Sequence, residues 1–391
     1  MPKDSINPGR RTFLKTAAAA GSSLLIPGPL KARTSKSTLK IGYLPITDAT
    51  PLLVAHSLGY FSREGLTVEK PIMVRSWSIL TESFLAGKFN MTHMLFPIPV
   101  WMRFNQNIPV KVLAWNHING SAITVRGDSD IHRFSDLAGK QIAVPSWNSM
   151  HNLLLQMGLT AAGLKPVIKS QSARLAEDEV NLFILPPPDM PAALLGKKVD
   201  GFIVADPFNA LSQIKFRARV LRFTGDIWKN HPCCVIVSHQ QFINANADMI
   251  QRAINAVVKA QLWCNNNPHE AAHLLSRDGE GYLPVPYEVV KKVFTVPKPS
   301  SLRHPDWNVK RIGFQPYPFE SATRFIIDQM GKTMMEGDTQ FLKELDTANA
   351  AKDLIDDRFV KIAIDRVGGL NVFITHTTDP SFTRKEIVEI N

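Results

Sequence analysis

Between Leu39 and about residue 237, short apolar runs alternate with amphipathic stretches, and the pattern runs through twice. Leu39–Leu44 reads as a strand that ends in the loop Pro45-Ile46-Thr47-Asp48-Ala49. Thr50 then suits a helix N-cap and Pro51 its first turn, with Leu52, Leu53, Ala55, Leu58 and Phe61 on one face and Gly65 as the stop. Thr67–Val74, Met91–Leu95 and Val110–Ala114 read as further strands, with a short helix over Ser78–Ala86. A second unit opens near Phe134, with a strand at Gln141–Val144, a helix over Asn148–Ala162 closed by Gly163, and a buried strand at Gly201–Ala205. Pro186-Pro187-Pro188 is expected to interrupt regular structure. Cys233–Val237 returns to strand. Strand and helix in alternation predict parallel, doubly wound α/β sheets. From Ala247 onward Met249, Ile250, Ala253, Ile254, Val257, Val258 and Leu262 recur at helical spacing, so the tail is expected to be helical. Two α/β units place a cleft between them, edged by strand C-termini and helix N-termini, whose free N–H groups favour an anion.

At 391 residues the chain is long enough for two such domains. Its formal charge of +11 suggests nucleic acid until its distribution is considered. Lys3, Arg10, Arg11, Lys15, Lys31 and Arg33 lie in residues 1–33, opposed there only by Asp4. No later segment combines a basic run with interleaved aromatics, so nucleic-acid binding is not expected. Arg10 and Arg11 precede Thr12-Phe13-Leu14-Lys15 and a weakly apolar stretch broken by Gly21, Ser22, Ser23 and Pro27. That is the anatomy of a twin-arginine leader, which exports folded proteins, and it is too polar to span a bilayer. Residues 1–33 are therefore expected to be a signal peptide, with the twin-arginine translocase as an export partner and the periplasm as destination.

Chemistry is hard to find. No nucleophile elbow, Walker loop, dinucleotide fingerprint or zinc-protease motif occurs, so no catalytic residue is named. The three cysteines, Cys233, Cys234 and Cys264, form no disulfide framework and read as small buried residues. No metal ligand and no cofactor is expected.

A series of short blocks carries more information than any motif. In order they are Leu44–Leu52, Ser76-Trp77, Thr92-His93-Met94-Leu95-Phe96-Pro97-Ile98-Pro99, Asn119-Gly120, Asp136–Lys140, Met150-His151-Asn152, Pro186–Met190, Ala205–Asn209 and Thr224–Pro232. In order and spacing the chain resembles the nitrate/sulfonate/taurine group of ABC-importer solute-binding proteins, nearest the nitrate- and bicarbonate-binding branch. The resemblance spans roughly residues 38–300. It implies a two-lobed periplasmic-binding-protein fold of type II that closes by hinge motion, with crossings near Ser121–Val125 and Cys233–Val237. The implied organisation is residues 38–120 for the first part of lobe one, 121–235 for lobe two, and 236–391 for the helical return to lobe one. It also implies a small anion as ligand, a membrane permease as partner and a monomer that docks one lobe on each half of a transporter.

Position by position, Trp77, His151 and Lys229 match residues that line the anion pocket of the nitrate branch, while Thr47 and Asp48 edge the cleft. Each has a second reading: Trp77 as a core aromatic, His151 as a structural histidine, Lys229 as a solvated lysine. Asp206 reads more naturally as the cap of the following helix than as a ligand contact. One departure stands out. The nitrate branch carries glutamine after the Asn-Gly step, where this chain has Ser121, and the shorter side chain leaves room for a larger ligand such as a sulfonate, an aromatic carboxylate or a pyrimidine. Lys229 is followed by Asn230 and not by an acid, which disfavours bicarbonate with calcium. An enzyme resembling the pyrimidine synthases is the remote alternative, since Cys233-Cys234-Val235 is not their cysteine-rich segment. A sensor that reports ligand to a membrane protein would share the same site.

Overall fold

The computed structural model describes residues 38–295, 311–374 and 382–390. The expected leader, residues 1–33, lies outside them. Two sheets organise the rest. The first contains β1 (Ile41–Tyr43), β2 (Ile72–Met73), β3 (Met91–Leu95), β4 (Val110–Trp115) and β12 (Cys234–His239), in the order β2-β1-β3-β12-β4. The second contains β6 (Ser121–Val125), β7 (Gln141–Val144), β8 (Lys165–Val167), β9 (Glu179–Ile184), β10 (Gly201–Ala205) and β11 (Arg219–Phe223), in the order β11-β6-β10-β7-β9-β8. A separate ribbon pairs β5 (Ile118–Asn119) with β13 (Ile312–Gly313).

Helices cover both sheets. α1 (Thr50–Ser57), α2 (Tyr60–Arg63), α3 (Trp77–Leu85) and α4 (Pro97–Phe104) follow strands of the first. α5 (Met150–Ala161), α6 (Met190–Leu195) and α7 (Phe208–Phe216) follow strands of the second. The tail supplies α8 (Gln240–Ala245), α9 (Ala247–Asn266), α10 (Pro268–Leu275), α11 (Tyr287–Phe294), α12 (Glu320–Met330), α13 (Phe341–Glu344), α14 (Thr347–Leu354) and α15 (Arg358–Arg366). Within it α9 packs on α1, α2 and α15, while α11 reaches α7. No helix among the described residues is long and apolar enough to cross a membrane.

The sheets are mixed where the sequence predicts parallel ones. β1, β2 and β3 run parallel, as do β7, β8, β9 and β10, but β12 is antiparallel to β3 and β4, and β6 is antiparallel to β10 and β11. The reason is topological. Parallel strands end at the junction of the lobes, so a strand that enters directly from the other lobe starts there and must run the opposite way.

Three local expectations change. Thr50 is not an N-cap: its hydroxyl donates to the Thr47 carbonyl at 2.6 Å, and the chain enters α1 through a 3₁₀ turn at Thr47–Ala49. The strand expected over Thr67–Val74 shrinks to Ile72–Met73 because it lies at the sheet edge, with both side chains exposed. The proline run is a 3₁₀ turn at Pro187–Asp189 that feeds α6, for proline suits the first turn of a helix.

The core of the first sheet is tightly filled. Phe89, fully buried, lies over β1 at Gly42, where an added Cβ would sit 2.4 Å from the ring. The ring has no exposed direction in which to swing, so Gly42→Ala is expected to lower stability by about 1–3 kcal/mol despite alanine's smaller chain entropy. Urea denaturation of the two proteins checks it; equal midpoints would contradict this packing.

Candidate functional site

Polar side chains gather where the strands of both sheets end. The loop after β1 folds into the 3₁₀ turn that carries Thr47 and Asp48, both fully buried. His93 lies inside β3, and its Nε2 accepts the Leu44 N–H at 3.0 Å, which fixes the start of that loop. His117 falls between β4 and β5. Asn119 and Gly120 then both adopt left-handed backbone, φ 58° and 84°, and the turn delivers Ser121 to the head of β6. Glycine is required at the second position, since a Cβ there would meet His117 and Ile312 at 3.2 Å in a conformation that L-residues avoid. Ser149 caps α5 by accepting the Asn152 N–H at 3.0 Å, which places His151 in the first turn, facing Ser121. Cys234 opens β12 and Cys233 immediately precedes it.

The Asp48 carboxylate is the hub. Its Oδ2 lies 2.9 Å from His117 Nε2, 3.2 Å from Cys234 Sγ and 3.6 Å from Cys233 Sγ. Its backbone carbonyl accepts the Asn116 side-chain amide. Burial disfavours charge on both partners, but the pair overcomes it: Asp48 is held below the ordinary carboxylate range and His117 is held up at about 10. The other histidines have no such partner. Burial pushes His93 down to about 3, His151 to about 4 and His231 to about 3, so all three are neutral. Ser121 Oγ lies 2.9 Å from His151 Nε2. A serine hydroxyl can donate to that nitrogen or accept from it, and Nδ1, the other ring nitrogen, is buried without a partner within the protein. Asp48 Oδ1, His93 Nδ1, His117 Nδ1 and His231 Nε2 are likewise buried and unpartnered within the protein. Buried polar atoms without partners are uncommon in folded proteins.

The lobes touch at this point. The Thr47 N–H and hydroxyl both donate to the Asp206 carbonyl at the end of β10, at 2.8 and 3.0 Å. Asp206 Oδ1 accepts the Ala210 N–H of α7 at 3.1 Å, so it caps that helix, and it also forms a two-pronged ion pair with buried Arg311.

Of the six residues singled out in the sequence, the structure brings Asp48, Ser121 and His151 into this cluster, with Thr47 at its edge. Trp77, nearly fully buried at the start of α3, packs edge-on against His93 at 5.6 Å between ring centroids. It also lines a groove of about 460 Å³ between the lobes, together with Ile98, Trp101, Pro145, Ile184 and Pro186. Lys229 sits elsewhere. It is half-buried and lines a cavity of about 140 Å³ with Asn230, Gln315, Phe319 and Arg384, and it is hydrogen bonded to neither Ser121 nor His151. His93, His117, Cys233 and Cys234 were not named from sequence as site residues. Periodicity treats them as strand interior; only their position at strand ends facing one junction would have marked them.

Residues 32–276 match the NMT1-like family. The chain belongs to that family. Among curated relatives it is similar to a nitrate/nitrite-binding protein of Nostoc sp., 29% identical over 271 residues, which covers 64% of this chain and 58% of the relative. The match thus spans little more than half of that relative's length. Among solved structures, the periplasmic nitrate-binding protein of Synechocystis PCC 6803 superposes with a TM-score of 0.71 at 19% identity, over 88% of this chain and 92% of that one. An aliphatic sulphonate-binding protein of Escherichia coli gives 0.56 at 18% identity, over 76% and 86%. At these identities the structures establish the two-lobed periplasmic-binding-protein fold.

Proposed function

We propose that this family member is an exported solute-binding protein that captures nitrate or a similar small oxyanion between its lobes and delivers it to an ABC permease. The observation that carries the reading is His151, kept neutral by burial, 2.9 Å from Ser121 and with its Nδ1 buried and unpartnered within the protein, beside the Asp48–His117 pair at the lobe junction. A neutral donor buried from solvent hydrogen-bonds an anionic oxygen strongly, because its surroundings screen the bond little. Trp77, edge-on to His93, gives the junction a flat wall. The nitrate-binding names of the relatives point the same way. In this reading the leader carries the folded chain to the periplasm, the protein works as a monomer, and the lobes part at Thr47–Asp206 to admit and release ligand.

A second reading keeps the role and enlarges the ligand. The groove beside Trp77 has mostly apolar walls and room for an organic tail, which fits a sulfonate or aromatic carboxylate.

A thermal-shift panel of nitrate, nitrite, cyanate, taurine, alkylsulfonates and phthalate separates the two. An anion at about a hundred times its dissociation constant adds ~2.7 kcal/mol of stability. A rise with nitrate or nitrite supports the first reading and a rise confined to sulfonates or phthalate the second. No rise with any of them contradicts both.

A further inference from the structure

Asp48, His117, Cys233 and Cys234 present one carboxylate oxygen, one imidazole nitrogen and two sulfurs, all within 4.8 Å of one another and all fully buried. From this convergence we infer that the four side chains form a binding site for a thiophilic d¹⁰ cation, zinc(II) in the first instance.

The distances fit. A tetrahedral zinc with bonds of about 2.0 Å to nitrogen and oxygen and 2.3 Å to sulfur sets its ligand atoms roughly 3.3–3.8 Å apart. Here Asp48 Oδ2 lies 2.9 Å from His117 Nε2 and 3.2 and 3.6 Å from the two sulfurs, so small rotations open the set to that size. Two sulfurs, one nitrogen and one oxygen also form a donor set that favours zinc over calcium or magnesium, which require oxygen.

His117 Nε2 faces the Asp48 carboxylate at 2.9 Å and the Cys234 N–H at 3.1 Å. A bare Nε2 accepts from Cys234 and sets its lone pair against the carboxylate. A cation bonded to Nε2, Oδ2 and both thiolates would remove that clash of lone pairs, and the Cys234 N–H would then turn from the occupied nitrogen, as it must when Nε2 carries a proton.

The placement gives the site an entry path. Asp48 lies in the loop after β1, His117 follows β4, and the cysteines stand at the start of β12, so all four ligands hang from the first sheet. Ser121 and His151 of the second lobe lie over them, with Ser121 Oγ 4.0 Å from Cys233 Sγ. Parting of the lobes would uncover a preformed site. Zinc with three anionic ligands leaves the set with one net negative charge, so it lends an oxyanion no support, and the inference stands without that reading.

The test is titration of the full chain, purified with reductant and chelator and then freed of chelator, with cobalt(II) as the spectroscopic probe. The expected result is a near-ultraviolet thiolate-to-cobalt charge-transfer band together with strong visible absorption of tetrahedral cobalt, saturating at one equivalent and displaced by one equivalent of zinc. Cys264→Ser, remote from the cluster, should retain both bands. Cys233→Ser/Cys234→Ser should lose them, and Asp48→Asn should lose more than the roughly 10–100-fold in zinc affinity typical of an outer-shell partner. Should the double variant fail to fold, the wild-type spectrum and Asp48→Asn decide alone. A weak spectrum without charge transfer, or zinc binding unchanged in Asp48→Asn, would overturn the inference. Trp77→Ala should bind cobalt normally, so failure of the metal site and failure of anion capture are read separately.

Discussion

Arg311→Ala lowers the stability of the folded protein by about 3–5 kcal/mol, the largest single loss expected outside the hydrophobic core. The Arg311 side chain is 3% exposed and that of Asp206 is fully buried, and two bonds of 2.5 and 2.8 Å join them. Removing the guanidinium strands a carboxylate whose remaining partner is the Ala210 N–H. The pair also has a structural task. Arg311 precedes β13, whose ribbon with β5 holds one chain crossing, and its carbonyl accepts the Gly120 N–H. Asp206 ends β10 on the other lobe and presents its carbonyl to Thr47. Loss of the pair therefore loosens both the crossing and the contact between lobes. The double variant Asp206→Asn/Arg311→Met should recover much of the loss, because no charge is then left buried and unpaired. Urea unfolding of the three proteins measures this; a loss below about 1 kcal/mol in Arg311→Ala would show the pair to be solvated.

His151→Ala is expected to weaken capture of the anion by roughly 10–150-fold, the 1.5–3 kcal/mol carried by a hydrogen bond to a charged group. Burial keeps this histidine neutral, and Ser121 Oγ holds its Nε2 at 2.9 Å. Ser121→Ala leaves the imidazole in place but removes the hydroxyl that orients the ring, so it should cost less, about threefold to tenfold, on the scale of one ordinary hydrogen bond. The two effects should not add, because the serine acts through the histidine. Calorimetric titration of both single variants and the double variant decides between this coupling and two independent contacts. Additive losses would mean that Ser121 contacts the anion itself.

The architecture was legible in the sequence wherever one element could be read alone. Gly201–Ala205, Met91–Leu95 and Gln141–Val144 appear as expected, since an apolar run between breakers has few alternatives. The direction of β6 and β12 was not, because period-two patterning says nothing about which way a strand enters its sheet. The same limit applies to the site. Asp48, Ser121 and His151 were named from neighbouring blocks and meet in space, whereas Lys229 was named in the same way and faces a different cavity. His117 and the cysteine pair were read as bland core, and they are indeed buried. What one sequence does not contain is that a loop after β1, a crossing after β4 and the first residues of β12 end at one point. Arg311 was invisible for the same reason: 105 residues separate it from Asp206.

The central claim is that ligand is held at the junction of the lobes, against Trp77 and His151. The most direct test is a crystal structure of the protein with the anion that most stabilises it in the thermal-shift panel. The account predicts density for that anion at the junction, with an oxygen within hydrogen-bond distance of His151 Nδ1 and the Trp77 ring alongside. Density in the cavity at Lys229 and Arg384 with the junction unchanged would contradict it.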